Sequence, residues 1–337
     1  MMPKRLGRQT VALDIPAVIL SNAAVGGKME GEGPLRDYFD HLSDDSFFGE
    51  KSWEKAESAM QKAALRLALE KGGYTAEELD YVLAGDLLNQ CIGTSFGLRD
   101  FSIPFYGLYG ACSTMGESLA LGSMLVSAGF AERVAAMTSS HYCTAERQYR
   151  MPVPYGSQRT PTAQWTATAS GCVIVGRAEH GCAVTAITCG KIVDKGLKDA
   201  NNMGAAMAPA AFDSLCVHFS ATQTTPLDYD LIVTGDLGIL GHQIVVDLFQ
   251  QEGVDLSDRY QDCGMLLFDI PKQDMHAGAS GCGCAASVLC GYLLREMQGE
   301  KWRKILFAPT GALLSPTSSF QGESIPGICH AMTIELI

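Results

Sequence analysis

Charge is scarce in this sequence, and positive charge scarcer still. Charged residues fill 18% of its 337 positions, with 25 Lys and Arg against 37 Asp and Glu, a net charge of −12. A nucleic-acid binder carries a basic face, so that class is disfavoured. The same balance argues against simple electrostatic docking on anionic lipid. An apolar run long enough to span a bilayer is also lacking. The uncharged stretch that most invites a membrane reading, 277–294, is diluted by Gly, Ala, Ser and Cys, and reads as a buried helix preceded by a tight loop. At the amino end basic residues precede apolar ones, but Asp14 and Pro16 interrupt the run, so no signal peptide is expected. The 12 cysteines lack the short regular spacing of a secreted disulfide scaffold. Cys282-Gly-Cys284 has no second pair at zinc spacing, so no metal and no cofactor are expected. Most of the cysteines read as small buried hydrophobes in a reducing interior. No Pro- or Ser-rich linker divides the chain.

What is present is apolar mass in an alternating pattern. Hydrophobic residues make up 47%, enough for a sizeable core. Residues 53–71 place Ala59, Ala63, Leu67 and Leu69 roughly on one face, an amphipathic helix that Gly72-Gly73 end. Thr75-Ala-Glu-Glu78 spells a capping box, and an apolar strand follows from Leu79 to Leu87. A small-residue helix is expected from about Met115 to Ala128, stopped by Gly129, then a buried strand from Arg133 to Thr138. The pattern is α/β.

Part of it occurs twice. Leu227-Asp-Tyr-Asp-Leu-Ile-Val-Thr-Gly-Asp-Leu237 echoes the segment from Leu79 to Leu87, with two extra residues in the second copy. Aligning Cys112 with Cys282 also brings Gly129 onto Gly299 and Arg133 onto Arg303. Two half-domains, 1–179 and 180–337, are therefore expected to pack into one body.

Several residues carry possible chemistry. Gly110-Ala-Cys-Ser113 sets Cys112 at the amino end of a helix, where unpaired N–H groups favour a thiolate or hold an anion. The same small-residue setting also suits a packed core cysteine. His242 follows a strand in a Gly-rich segment, where α/β folds gather ligands or a structural His caps a turn. Cys282 and Cys284 line the second copy of the cysteine turn. Asn89 and Gln90 follow a strand end, placed to bind a ligand or to cap a turn. From His141 to Arg177 the chain is locally basic and aromatic, with Arg147, Arg150, Arg159 and Arg177 among Tyr142, Tyr149, Tyr155 and Trp165. Those arginines suit carboxylates on a ligand, or pair with surface acids. Gln158-Arg-Thr-Pro-Thr162 is the best candidate for a recognition or partner loop.

With these residues on view, the chain resembles the thiolase superfamily, nearest the ketoacyl synthase III group. The resemblance rests on duplicated halves, GACS before a helix, GHQ after a strand and the GCGCAAS turn. It implies a five-layer αβαβα fold, with Cys112 in the nucleophile position and His242 in the His position. The Asn of that group's third motif falls on Cys282, and a thiol is a weaker donor than an amide. Loss of one oxyanion donor commonly costs about 10²–10³-fold in rate, so condensing activity is in doubt.

A more specific resemblance spans nearly the whole chain. Gly85-Asp-Leu-Leu-Asn-Gln90, Ser139-Ser-His-Tyr-Cys-Thr-Ala-Glu-Arg147, Gln158-Arg-Thr-Pro-Thr-Ala-Gln-Trp165 and Thr234-Gly-Asp-Leu-Gly238 look like the stage V sporulation protein AD family. That resemblance implies binding of dipicolinic acid (pyridine-2,6-dicarboxylate), often as its calcium chelate, for uptake into the developing spore and release in germination. It implies partners among integral membrane proteins of the SpoVA operon, a peripheral place on the inner spore membrane, and a homodimer. Cys112, His242, Cys282, Cys284, Asn89 and Arg159 are then the expected ligand groups. The alternative is an acyltransferase of the ketoacyl synthase III type that uses Cys112 as nucleophile and His242 as acid and base.

Overall fold

Long apolar strands buried on both faces dictate a layered architecture, because each face of such a sheet needs its own cover. The computed structural model describes residues 4–149, 159–256 and 258–337. Ten principal strands are β1 (Thr10–Gly26), β2 (Tyr81–Gly85), β3 (Phe105–Gly107), β4 (Arg133–Ser140), β5 (Ala169–Gly176), β6 (Cys182–Thr188), β7 (Leu231–Thr234), β8 (Tyr260–Asp262), β9 (Lys304–Ala308) and β10 (Ala331–Leu336). They run in the order β8-β7-β9-β10-β6-β1-β5-β4-β2-β3. Read outward from the centre, the two sets of five match. The outermost pairings, β2 with β3 and β4, and β7 with β8 and β9, are parallel. The inner pairings are antiparallel, including β1 with β6 where the sets meet.

The junction strand β1 pairs with β6 through Thr10–Val18 and with β5 through Val18–Gly26, and its register shifts between Ala12 and Ala17. Asp14 and Pro16, which broke the apolar run in the sequence, fall in that irregularity, where a residue without a ladder N–H is tolerated.

Seven helices supply the other layers: α1 (Trp53–Gly72), α2 (Ile92–Leu98), α3 (Thr114–Ala128), α4 (Tyr142–Tyr149), α5 (Met203–Thr222), α6 (Gly238–Gln251) and α7 (282–298, with a wider turn over Val288–Leu293). Strand alternation assigns them to faces. Val82, Ala135 and Met137 pack outward on Met60, Ala64 and Leu65 of α1. Leu83, Val134 and Ala136 point inward, into one core with Met115 and Leu119 of α3, Leu289 and Leu293 of α7, and Ile305 and Phe307 of β9. Ile232 and Leu306 pack outward again, on Leu215 and Phe219 of α5. The result is five layers, αβαβα, with α3 and α7 in the middle.

The duplication is closer than the letters indicate. Helices α1 and α5 are each 20 residues long, capped by Ser52 and Asn202 and closed by the left-handed Gly73 and Gln223. Thr75 with Glu78, and Thr225 with Asp228, form matching capping boxes. Asp80 accepts the Glu132 and Arg133 N–H groups, and Asp230 those of Arg303 and Lys304. These contacts set an ungapped match from α1 to Asp86 and from α5 to Asp236. The expected pairing of Leu79 with Leu227 is thereby corrected: Leu79 matches Tyr229, and Leu227 matches Glu77.

Candidate functional site

The Gly110–Ser113 turn delivers Cys112 from the end of the β3 segment to the start of α3. Ala111 adopts φ +52°, unusual for a side-chain-bearing residue, and Thr114 and Ser113 hold the turn through bonds to the Ala111 and Gly110 carbonyls (2.6 and 2.7 Å). Cys112 ends up buried beside Leu87, Ala145, Tyr149 and Cys282. A pocket of about 80 Å³ opens next to it. Its apolar wall includes Leu87, Ala145, Met203, Ala312 and Leu314, and its polar groups come from Glu146, Tyr149, Thr166, Asn201 and Ser280. Among the described residues no lysine or arginine lines it.

The thiol is not poised to ionise. Burial pushes its pKa well above the ordinary value, and the charges of Asp236 and of Cys282 push the same way. The Asp236 carboxyl lies close enough to the sulfur to favour the protonated thiol. The expectation that the helix amino end would favour a thiolate is thus corrected: desolvation and an adjacent acid outweigh the dipole.

Asp236 is the site residue that sequence reasoning missed. It is buried, and its carboxylate accepts bonds from Thr310 Oγ1 (2.9 Å) and the Gly281 N–H (3.1 Å). Gly281 can aim that N–H because it takes φ +96°, and a Cβ there would sit 2.6 Å from Ser140 Oγ. Burial, then the charge of Asp262, raises the Asp236 pKa to about 7, against the bonds that lower it. The available signal was the Gly-Asp-Leu triplet present at both 85–87 and 235–237. Its first copy, Asp86, is also buried, accepting from Thr94 N (2.7 Å), Thr94 Oγ1 (2.6 Å) and Leu88 N (2.8 Å). Behind it lies Glu57, bonded by Ser139 and Thr144 and raised in pKa by burial and by the Asp86 charge.

The other expected residues divide. Cys282 lies against Cys112 in the same cluster, its thiol donating to Ser139 O at 2.8 Å. Cys284 is buried at 3.9 Å from Gly235 O and does not line the pocket. His242 does not reach the pocket either. The helix α6 begins at Gly238, so GHQ is helical rather than loop, and the His242 ring stacks on Tyr260 at 4.4 Å. Asn89 is exposed, its Oδ1 accepting from Gln148 Nε2 (3.0 Å) and its backbone N–H donating to Gln148 Oε1 (3.2 Å).

The arginines are occupied elsewhere. Arg159 pairs with Asp274 at 2.6 Å and lies over Trp165. Arg147 pairs with Glu54 over Trp53, and Arg177 bonds the Val126 carbonyl. Arg150, Tyr155 and Gln158 lie outside the described residues. Among the described residues no group of three or more His, Cys, Asp or Glu side chains is arranged to hold a metal ion.

The sequence profile described as stage V sporulation protein AD (SpoVAD) matches residues 7–335. The chain belongs to the stage V sporulation protein AD family. Its relative of that name in Bacillus subtilis (strain 168) is 41% identical over 332 residues, 98% of each chain. Solved structures share the fold at much lower identity. The 3-oxoacyl-[acyl-carrier-protein] synthase III of Aquifex aeolicus VF5 superposes with TM-score 0.59 at 12% identity, over 95% of this chain and 99% of that one. Xanthomonas campestris OleA E117A gives 0.63 at 10%, over 96% and 99%. Human mitochondrial 3-ketoacyl-CoA thiolase, in a complex with CoA, gives 0.56 at 12%, over 97% and 99%. This sporulation-family chain therefore has the thiolase-like fold. Among its described residues no helix is long and apolar enough to cross a membrane.

Proposed function

We propose that the chain binds dipicolinic acid in the pocket beside Cys112 and serves its uptake into the developing spore and its release in germination. The observation that carries this reading is the Cys112–Asp236 pair. A nucleophilic cysteine needs a base that leaves it ionised; here a buried acid keeps the proton on sulfur. Acyl transfer in the ketoacyl synthase manner would further need an amide donor where Cys282 stands, and a thiol is the weaker donor. A retained pocket beside a thiol that stays protonated suits binding.

The lining also selects the form of the ligand. Among the described residues the lining offers oxygen groups and no Lys or Arg to meet the two carboxylates of a bare dianion. The calcium chelate is charge-neutral, and calcium accepts further oxygen ligands of the kind that Asn201, Thr166 and Ser280 offer. Tyr149, Leu87 and Leu314 would flank the flat ring.

Calorimetric titration tests this with dipicolinic acid alone and with its calcium chelate. Saturable binding, tighter for the chelate and weakened in Cys112→Ala and Asn201→Ala, is expected. Absence of binding in both forms by the folded protein would sink the reading, and binding indifferent to both substitutions would move the site.

The chain further acts as a homodimer at the inner spore membrane, held there by integral membrane proteins of the same operon. The edge strand β3 supports the dimer, since Phe105 and Tyr106 stand exposed on it beside an unpaired backbone edge.

A further inference from the structure

The matched outer faces of the two halves differ in one place. A groove of about 790 Å³ runs between the carboxyl half of α5, the end of α6 and the turn Thr224–Leu227. Phe219 and Phe249 floor it, Phe212 and Cys216 wall it, and Leu227 on its lip is 74% exposed. The capping register gives the counterparts in the first half. Phe212 matches Lys62, Cys216 matches Arg66 and Leu227 matches Glu77. In the first half Lys62 is ion-paired to Asp100 at 2.5 Å, and Arg66 and Glu77 are exposed. Three polar positions in one copy are apolar in the other, and the apolar three surround a single concavity. A lone exposed Leu needs no explanation, but a contiguous apolar hollow marks an interaction site.

Charge completes the description. Glu252 and Asp255 line the groove, while the neighbouring Asp213 is paired with Lys191 at 2.9 Å. No described lining residue is basic. We propose that this groove docks a basic amphipathic helix of a partner protein, whose apolar side chains fill the hollow while Lys or Arg residues meet the acidic rim. A hollow at the ends of two packed helices takes a third helix by the ordinary helix-in-groove mode. The inference does not depend on the dipicolinate reading.

The probe is a synthetic amphipathic peptide of Leu and Lys, about 18 residues and so long enough to be helical, with a Leu/Glu peptide of the same pattern as control. Titrated into the full chain, the Leu/Lys peptide is expected to bind saturably and roughly tenfold or more tighter than the Leu/Glu peptide. The double variant F212K/L227E, which installs the first half's own residues, should weaken it by about tenfold or more. Circular dichroism and the dipicolinate titration on the same variant report whether the fold and the pocket survive. Equal affinity for the two peptides, or binding unchanged in a folded F212K/L227E, overturns the proposal. So does light scattering that shows a dimer which the double variant dissociates, because a second copy would then occupy the groove.

Discussion

The first and second halves share a backbone plan and differ in what their matched side chains do. Asp86 and Asp236 occupy the same place after β2 and β7, both buried and both tied to the turn that follows or packs on them. Asp86 is closed off against Glu57, Thr94 and the Leu88 N–H, an internal acid cluster. Asp236 reaches across to Cys112 of the other half. The edges differ too: β3 presents Phe105 and Tyr106 to the outside, whereas Tyr260 of β8 is buried under the stacked His242. Duplication thus supplied two equivalent scaffolds, and function followed from unequal use of equivalent positions. The first half gives the thiol and an open edge; the second gives the acid that holds the thiol and an apolar outer groove.

Removing the two matched aspartates breaks this comparison most sharply. Asp236→Ala leaves the Gly281 N–H and the Thr310 hydroxyl without their acceptor, at roughly 1–3 kcal/mol for each buried orphan. Asp86→Ala also orphans donors, but it relieves the repulsion that raises Glu57. The expected outcome in urea unfolding is a larger loss for Asp236→Ala than for Asp86→Ala. Chelate binding should vanish in Asp236→Ala and persist in Asp86→Ala. Equal losses in both stability and binding would mean that the halves do not divide the work as described.

The two sheet edges give the next contrast. Lysines replacing Phe105 and Tyr106 put like charges across a two-fold edge pairing. Light scattering should report a dimer for the unaltered chain and a monomer for F105K/Y106K, while Gln261→Lys on β8 should leave the dimer intact. A dimer that survives F105K/Y106K places the interface elsewhere.

Much of this fold was legible in the sequence because it is written in local signals. The capping box at Thr75–Glu78, the Gly129 stop and the breaks at Asp14 and Pro16 each have one physical meaning, and each sits where that meaning requires. Helix α1 forms where expected, but its buried face is Ala56, Met60, Ala64, Leu65 and Ala68, and of the expected Ala59, Ala63, Leu67 and Leu69 only Leu69 is buried. The site was legible only in part. Cys112 was marked by its tight turn, and Cys282 by the duplicate of that turn. Asp236 was hidden because an aspartate at a strand end ordinarily caps a turn; its role comes from contacts to Thr310, Gly281 and Cys112, all distant in sequence. His242 misled for the opposite reason. Its Gly-rich surroundings read as loop, but Gly238 opens a helix whose second turn carries the ring onto Tyr260. The arginine-rich segment misled because pairing with Glu54 and Asp274 depends on chain folded from elsewhere.

The buried acids provide the finest test of the contrast, through pH. Burial holds Glu57 well above the usual carboxylate range, and raises Glu30 and Asp236 to about 7. An unfolded carboxyl titrates near about 4, so between that value and the folded one the native state keeps protons that the unfolded chain has lost. Stability from these groups is therefore fully present below about pH 4 and declines as pH rises through their folded values. His218 and His330, lowered to about 4 by burial, act in the opposite sense, but only below the ordinary histidine value near about 6.5. From about pH 6.5 to 8 the acids set the slope among these groups. The urea midpoint should fall across that interval. Glu57→Gln, in the first half, should flatten the fall more than Asp236→Asn in the second. Each acid has a like-charged neighbour, Asp86 or Asp262, and hydroxyls that donate to it, but burial carries Glu57 higher, to about 8 against about 7 for Asp236. A slope that both variants reduce equally, or that neither changes, would show that the two clusters carry their protons differently from what their contacts dictate.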